Sequence, residues 1–344
     1  MDKIFLAGLL PEEISSQLNL SPSFRAKQIF KWLSLGAESF EQMTNIPKDL
    51  RAALQEKAAL RSSCVSQTLR DKDGTVKLQI KTHDGLLIET VLLIDIEGRK
   101  TACVSCQAGC AMACAFCQTG HLGFARNLTA AEIVEQFLFL EKECGTLDNI
   151  VFMGMGEPTL NLEAIRKAIA VLSHKDGRAL GTKRITLSTC GMTKGIYDLA
   201  DNGPKIRLAV SLTTADPDLR TQLMPVTKTN PLPELKKAID YYAKKSGRRV
   251  TLEAALLGSK NTGEQSASRM IEFARGLDVN INLIPWNPID ALPFEEPARE
   301  ECEAFAKRLE AAGLNVTLRR RRGAGVKGAC GQLGSTLSLS GATG

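Results

Sequence analysis

From residue 99 to residue 319 the chain alternates short apolar, β-branched runs with longer amphipathic stretches, and few folds accept that rhythm. The runs 101–105, 149–153, 184–188, 206–212, 250–256, 280–285 and 316–319 have the length and composition of strands. Between them, 130–143, 162–173, 194–201, 232–245, 264–276 and 297–312 carry apolar residues at helical spacing. Parallel strands need a long crossover, usually a helix, so this repetition predicts a parallel sheet covered by helices. Six such units and a closing strand predict an α/β fold, a partial (β/α)6 barrel of TIM-like type, in place of two nucleotide-binding halves.

The segment before it reads differently. Phe24, Ile29, Phe30, Trp32 and Leu33 crowd one helical stretch that starts near Ser21-Pro22-Ser23. Phe40, Met43, Ile46, Leu50, Leu54 and Leu60 continue at helix-compatible spacing, with Pro47 as punctuation. A β-meander follows at 65–70, 76–81 and 86–93, its turns at Asp73-Gly74 and Asp84-Gly85. The expected organisation is a small helical domain (1–62), the meander as an extension (63–98), the barrel with a C-terminal loop (99–333), and a tail (334–344).

In a parallel barrel, reacting groups gather at the C-terminal ends of strands. The unusual residues of this chain fall there. Cys110, Cys114 and Cys117 form a C-x₃-C-x₂-C run after the first barrel strand. Three thiolates so spaced can wrap one face of an iron–sulfur cluster and leave one iron open to a small molecule. A four-cysteine zinc site needs two separated pairs; the other C-x₂-C, Cys103 to Cys106, begins inside the apolar run of the first barrel strand and not in a loop. Inert buried thiols are the plainer alternative, but they require no such clustering. Gly154-Met155-Gly156-Glu157-Pro158 follows the second strand, where glycines let backbone approach a ligand and Glu157 offers a carboxylate to an ammonium. Ser188 and Ser211 close the third and fourth strands, and Pro285-Trp286-Asn287-Pro288 closes the sixth. S-adenosylmethionine (SAM) has an ammonium and a carboxylate suited to chelating an open iron, and these side chains can hydrogen-bond its other polar groups. A pyrophosphate site fits less well, because no G-x-G-x-x-G follows a strand.

Charge and compartment narrow the partners. The net charge is +6, and Arg319-Arg320-Arg321-Arg322 forms a solid basic block, which suits a polyanion but also an ordinary solvated surface. No apolar run approaches the ~18 residues of a membrane span, and the N-terminus lacks a signal-peptide pattern, so a cytoplasmic location is expected. Ten cysteines in such a compartment serve metals, catalysis or burial more often than disulfides. With only three histidines, cysteine and carboxylate chemistry leads.

Taken together, Cys103-Val104-Ser105, the C-x₃-C-x₂-C run, Gly154-Met155-Gly156-Glu157-Pro158, Leu187-Ser188-Thr189, Leu283-Ile284-Pro285-Trp286-Asn287-Pro288 and Ala329-Cys330-Gly331-Gln332-Leu333 resemble the dual-specificity radical SAM methyltransferases that modify adenine 2503 of 23S ribosomal RNA. Phe24-Arg25-Ala26-Lys27-Gln28-Ile29 is similar to that family's N-terminal helical, helix-hairpin-helix-like domain. The resemblance covers nearly the whole chain. It implies a 4Fe-4S cluster on Cys110, Cys114 and Cys117, and SAM held by Gly156, Glu157, Ser188, Ser211, Leu212, Thr213 and Asn287. It implies that Cys330 is methylated by one SAM and loses a hydrogen to a radical made from a second. The carbon radical then joins carbon 2 of the adenine, Glu89 accepts a proton, and Cys103 releases the product, leaving a Cys103–Cys330 disulfide. Adenine 37 of transfer RNA as a second substrate, a flavodoxin-like electron donor and a monomeric enzyme belong to the same expectation. Cys64, Cys106, Cys144, Cys190 and Cys302 are read as structural.

Two positions depart from the family pattern. Its Gly-x-Asp-Ile segment reads Gly323-Ala324-Gly325-Val326 here, and Thr213 stands where a histidine commonly follows Ser-Leu. Two alternatives stay open at this stage: a relative that methylates carbon 8 of the same adenine, and a non-catalytic iron–sulfur RNA-binding protein.

Overall fold

The computed structural model describes residues 3–290 and 292–334. Its largest element is a ten-stranded sheet whose spatial order follows chain order. The strands are β1 (Ser63–Arg70), β2 (Val76–Thr82), β3 (Leu87–Ile94), β4 (Lys100–Cys103), β5 (Asn149–Phe152), β6 (Ile185–Thr189), β7 (Arg207–Ser211), β8 (Val250–Leu256), β9 (Val279–Pro285) and β10 (Asn315–Leu318). From β4 onward all pairs are parallel, and from β1 to β4 all are antiparallel. Leu208, Ala209 and Val210 are successive and all buried, because a crossover helix on one face and the barrel interior on the other leave β7 no solvent side. Expected strand and helix ends fall within two residues of those observed.

The meander is not a separate piece. Val91 of β3 lies opposite Cys103 of β4, so residues 63–94 extend the barrel sheet directly. Two elements had no clear sequence signal. The seven-residue helix Pro217–Leu223 is announced only by Asp216, whose carboxylate accepts the Asp218 and Leu219 N–H groups. A short hairpin of Gln107–Gly109 and Phe124–Asn127 frames the cysteine loop without any apolar alternation.

At the N-terminus, helices Pro11–Gln17, Phe24–Ser34 and Lys48–Lys57 form a small module, closed by a parallel pairing of Ile4–Phe5 with Ala58–Ala59. Helix Phe24–Ser34 buries Ala26, Ile29, Phe30 and Leu33, the i, i+3, i+4, i+7 stripe of one face. That stripe packs on the barrel through Val134, Leu138, Val171 and Leu172, and the Phe30 ring meets His174 edge-on at 4.9 Å. Glu135 fastens the module's exit, accepting the Ser62 N–H at 2.6 Å. Module and barrel share one continuous apolar core. Among the described residues no helix is long and apolar enough to cross a membrane.

Candidate active site

The C-terminal ends of β4 to β9 open into one mouth, and the cysteine loop stands on its rim. Gly109 starts that loop with φ +80°, and a Cβ there would lie 2.1 Å from the Gly123 carbonyl oxygen. Only glycine lets the two loop ends approach closely enough for Cys110 N–H to donate to Gly123 O at 2.7 Å. Cys117 N–H then turns back to Cys114 O at 3.1 Å, and Ala115 N–H reaches Leu223 O at 2.9 Å. Met112, Cys114 and Phe116 rest on a second apolar cluster built from Cys190, Leu223, Met224 and Trp286. All three loop cysteines are half-buried free thiols.

Their surroundings suit an iron–sulfur cluster. Backbone N–H groups of Met112 face Cys110 sulfur, and those of Thr119 and Gly120 face Cys117 sulfur. Hydrogen bonds to sulfur are a recognised means of stabilising thiolate ligands and tuning such clusters. Burial raises all three thiols, Cys110 to about 12, so a cationic metal centre is what would hold them as thiolates. Among the described residues, only His83, Asp84 and Glu132 bring three ligand atoms within 4.8 Å of one another. The three loop thiols therefore do not all lie within 4.8 Å of one another. The His83–Asp84–Glu132 group is instead organised by Arg126, which pairs with both carboxylates.

Behind the loop lies the Gly-Met-Gly-Glu-Pro turn. Gly154 presses on Val104 and Ser105, where a Cβ would meet Ser105 Oγ at 2.7 Å. Met155 N–H donates to Ser105 Oγ at 2.8 Å, and Met155 O accepts Cys106 N–H at 2.9 Å. Glu157 is buried, and its carboxylate accepts the Thr159 N–H, the Thr159 hydroxyl and, at 2.8 Å, the Cys190 N–H. That carboxylate holds the turn against the end of β6, which differs from a free group awaiting an ammonium. Gly156, at φ +102°, would place a Cβ 2.5 Å from Gln107 Cβ. Gly156→Ala is expected to cost about 2–4 kcal/mol of stability and to weaken SAM binding, read by thermal denaturation with and without SAM.

The opposite wall is set by Arg220, a fully buried guanidinium that sequence reasoning passed over. It donates to Leu212 O at 3.1 Å, Cys190 O at 2.8 Å and Thr227 Oγ1 at 2.7 Å, so it ties the ends of β6 and β7 together. Desolvation lowers its pKa, with the Cys190 and Cys114 thiols beside it. Leu212 and Thr213 N–H groups both donate to Glu253 O, and Thr213 takes φ +61°. Ser188 Oγ donates to the Glu253 carboxylate at 3.3 Å, and Ser211 pairs with Glu253 across β7 and β8. Glu253, also missed in the sequence, is buried and its pKa is raised, by desolvation first.

The loop carrying Cys330 completes the mouth. Asn287 Nδ2 donates to Cys330 O at 3.1 Å, Gln332 Nε2 to Pro288 O at 2.8 Å, and Gln118 N–H to Gly331 O at 2.8 Å. Cys330 is thus stitched between the cysteine loop and the end of β9. Cys330 is exposed, yet desolvation first, then Glu253, Cys103 and Cys117, push its thiol up to about 12. Cys103, buried at the end of β4, is pushed up to about 12 by burial. Among the described residues every cysteine is a free thiol, so the Cys103–Cys330 disulfide implied by the resemblance is not formed in this structure. Asn287 Oδ1 is buried without a protein partner, an acceptor suited to a nucleoside hydroxyl or amine. Glu89 is fully buried beside Lys77 with Nζ–Oε1 at 3.0 Å.

Comparison with known proteins agrees with this arrangement. Residues 104–271 match the radical SAM superfamily, and residues 19–60 match a ribosomal RNA large subunit methyltransferase N-terminal domain. The chain is 57% identical to a probable dual-specificity RNA methyltransferase RlmN of Treponema denticola, over 98% of this chain and 97% of that one. A protein of the same description from Flavobacterium psychrophilum is 41% identical over 92% of each. A crystal structure of a radical SAM methyltransferase from Sphaerobacter thermophilus matches with a TM-score of 0.93 at 40% identity, covering 96% of this chain and 99% of that one. Membership of the superfamily implies a 4Fe-4S cluster and SAM, which the three-thiol loop and the mouth behind it are built to accept. With fold, site and nearly full-length identity in accord, the chain belongs to the RlmN family of radical SAM RNA methyltransferases.

Proposed function

We propose that this enzyme methylates carbon 2 of adenine 2503 in 23S ribosomal RNA, and adenine 37 of transfer RNA, through a methyl group carried on Cys330. The observation that supports the reading is that Cys103, a second thiol outside the cysteine loop, lies near enough to Cys330 to act on it electrostatically. A generic radical initiator needs neither. Carbon 2 of adenine is weakly nucleophilic and has no acidic proton, so direct displacement on a sulfonium is a poor route.

The protein's own groups divide the work. Cys110, Cys114 and Cys117 hold the cluster, and the Gly154–Glu157 turn, Ser188, Ser211, the Leu212–Thr213 backbone and Asn287 hold SAM. Cluster and SAM together supply a primary carbon radical, which is the cofactor's chemistry. Cys330 would take its methyl as its sulfur bonds the methyl carbon and the methyl–sulfonium bond breaks, the neutral thioether S-adenosylhomocysteine leaving and the thiol proton passing to solvent; a sulfonium cation nearby favours the thiolate against the burial that opposes it. Methylated Cys330 would then lose a hydrogen atom to that radical, its carbon would bond carbon 2 of the adenine, and the adduct radical so formed would give up one electron to the oxidised iron–sulfur centre. Glu89 takes the proton from the ring. Cys103 attacks the Cys330 sulfur to free the methylated base, and an external reductant clears the resulting disulfide.

The exposed Arg319, Arg320 and Arg321 lead from β10 into the Cys330 loop, and their positive charge supports RNA binding beside that loop. The adenine must be unstacked to present carbon 2. A flavodoxin-like electron donor, a monomeric state and a cytoplasmic location complete the proposal. Anaerobic reconstitution with iron and sulfide, then mass spectrometry of nucleosides from treated RNA, tests it: 2-methyladenosine is expected, and 8-methyladenosine would refute the carbon 2 assignment. Cys103→Ala is expected to accumulate an enzyme–RNA adduct, seen as a slow, nuclease-sensitive band on a denaturing gel; a normal turnover rate would remove Cys103 from the release step.

A further inference from the structure

The loop that carries Cys330 is gripped from outside the barrel by the antiparallel part of the sheet. Lys77 of β2 and Glu89 of β3 form an ion pair at 3.0 Å with side chains 1% and 0% exposed. Each also holds one limb of the loop. Lys77 Nζ donates to Lys327 O at 3.4 Å, three residues before Cys330, and Glu89 Oε2 accepts the Gly334 N–H at 2.8 Å, four residues after it. The β1–β2 turn adds two more contacts: Asp73 accepts Gly323 N–H and Asp71 accepts Gly325 N–H, both at 2.8 Å. These are the glycines of the segment that departs from Gly-x-Asp-Ile. A Cβ on Gly325 would stand 2.9 Å from the Asp71 carboxylate, so the short side chain and the turn's carboxylate fit each other.

Removing two charges from water costs several kcal/mol per ion, and a packed apolar pair is usually at least as stable. A buried lysine here is therefore poorly explained by stability. Its geometry supplies another reason, since Lys77 connects the Glu89 carboxylate to the backbone of the Cys330 loop.

We propose that Lys77 is a positioning residue for the methyl transfer, a strut that fixes Cys330 relative to Glu89, with Asp71 and Asp73 pinning the loop's leading limb. The proposal rests on the Cys330 pathway above. It makes no demand on the cluster or on SAM cleavage, which use other residues.

The test compares the reduced holoenzyme with Lys77→Met, and with Asp71→Asn/Asp73→Asn as a pair in an accessible turn where folding is not at stake. For Lys77→Met, 5′-deoxyadenosine formation should stay within about twofold of wild type while methylated RNA per 5′-deoxyadenosine falls about tenfold or more, at unchanged KM for RNA. The turn variant should show the same uncoupling to a smaller degree, about threefold. Trypsin should cut after Lys327 faster in both variants, a readout independent of turnover. If a folded variant keeps the wild-type product ratio and the wild-type rate of cutting, the strut is refuted. If the wild-type enzyme makes 5′-deoxyadenosine but no methylated RNA, the pathway itself fails; unchanged cutting after Lys327 in the variants would then refute the strut separately.

Discussion

Cys330→Ala enzyme is expected to methylate no RNA while still cleaving SAM when reduced. The substitution removes the sulfur that accepts the first methyl, and no other thiol can substitute. Cys103 is buried at the end of a strand, its thiol pushed up to about 12, and its ladder hydrogen bonds to β3 and β5 keep it in place. Cys117 is committed to the cluster loop, with its N–H bound to Cys114 O. Losing an obligatory covalent carrier should therefore cost at least about 10⁴-fold in methylation, far more than the loss of one positioning contact. Because Cys330 is accessible, stability should change by no more than about 0.5 kcal/mol, so an inactive variant will still be folded. The measurement pairs nucleoside mass spectrometry with chromatographic 5′-deoxyadenosine. Methylation above about one per cent of wild type would rule out Cys330 as the carrier.

The second large effect concerns the loop. Cys114→Ala should abolish cluster retention, and with it both SAM cleavage and RNA methylation, because two remaining thiols cannot hold a cube that needs three protein ligands with one iron left open. Cys106 and Cys190 are buried neighbours and make the informative controls. Cys106 sulfur donates to Met155 O at 3.6 Å, and Cys190 contributes its backbone to Glu157 and Arg220. Cys106→Ala and Cys190→Ala should keep iron, sulfide and the visible absorbance. A Cys114→Ala protein with full iron content would instead mean that the ligand set lies elsewhere.

Much of the fold was legible because buried parallel strands are written as uninterrupted apolar runs. Val250–Leu256 and Leu162–Ser173 have the expected ends to the residue. The cysteine loop, Ser188, Ser211 and Asn287 were legible because they sit directly after such runs. What escaped were charges inside the barrel or beneath its rim. Glu253 and Lys77 lie within strands, where a lone charged residue normally marks the solvent face. This sheet, though open at β1 and β10, has interior on both faces along much of its length, and the period of two cannot say which side is wet. Arg220 escaped for a related reason: its helix has seven residues, too few to show a periodic stripe. Glu89 was recognised only through the family resemblance, and its burial beside Lys77 is visible only once β2 and β3 are paired. The hairpin around the cysteine loop is built from Gly109, Gly123 and backbone hydrogen bonds, which leave no hydrophobic signature.

The contacts of Lys77 and Glu89 with the Cys330 loop join two stretches that are some 250 residues apart in sequence, with Lys77 and Lys327 at |i−j| = 250. Between them lies segment 104–271, which matches the radical SAM superfamily and contains the three loop cysteines, while Glu89, Cys103, Asn287 and Cys330 all fall outside it. The segment matched by the superfamily is thus bracketed by two flanks that hydrogen-bond to each other. A change in the Gly323–Gly325 limb alters what Asp71 and Asp73 must match, so a graft between relatives has to carry both ends of the chain together.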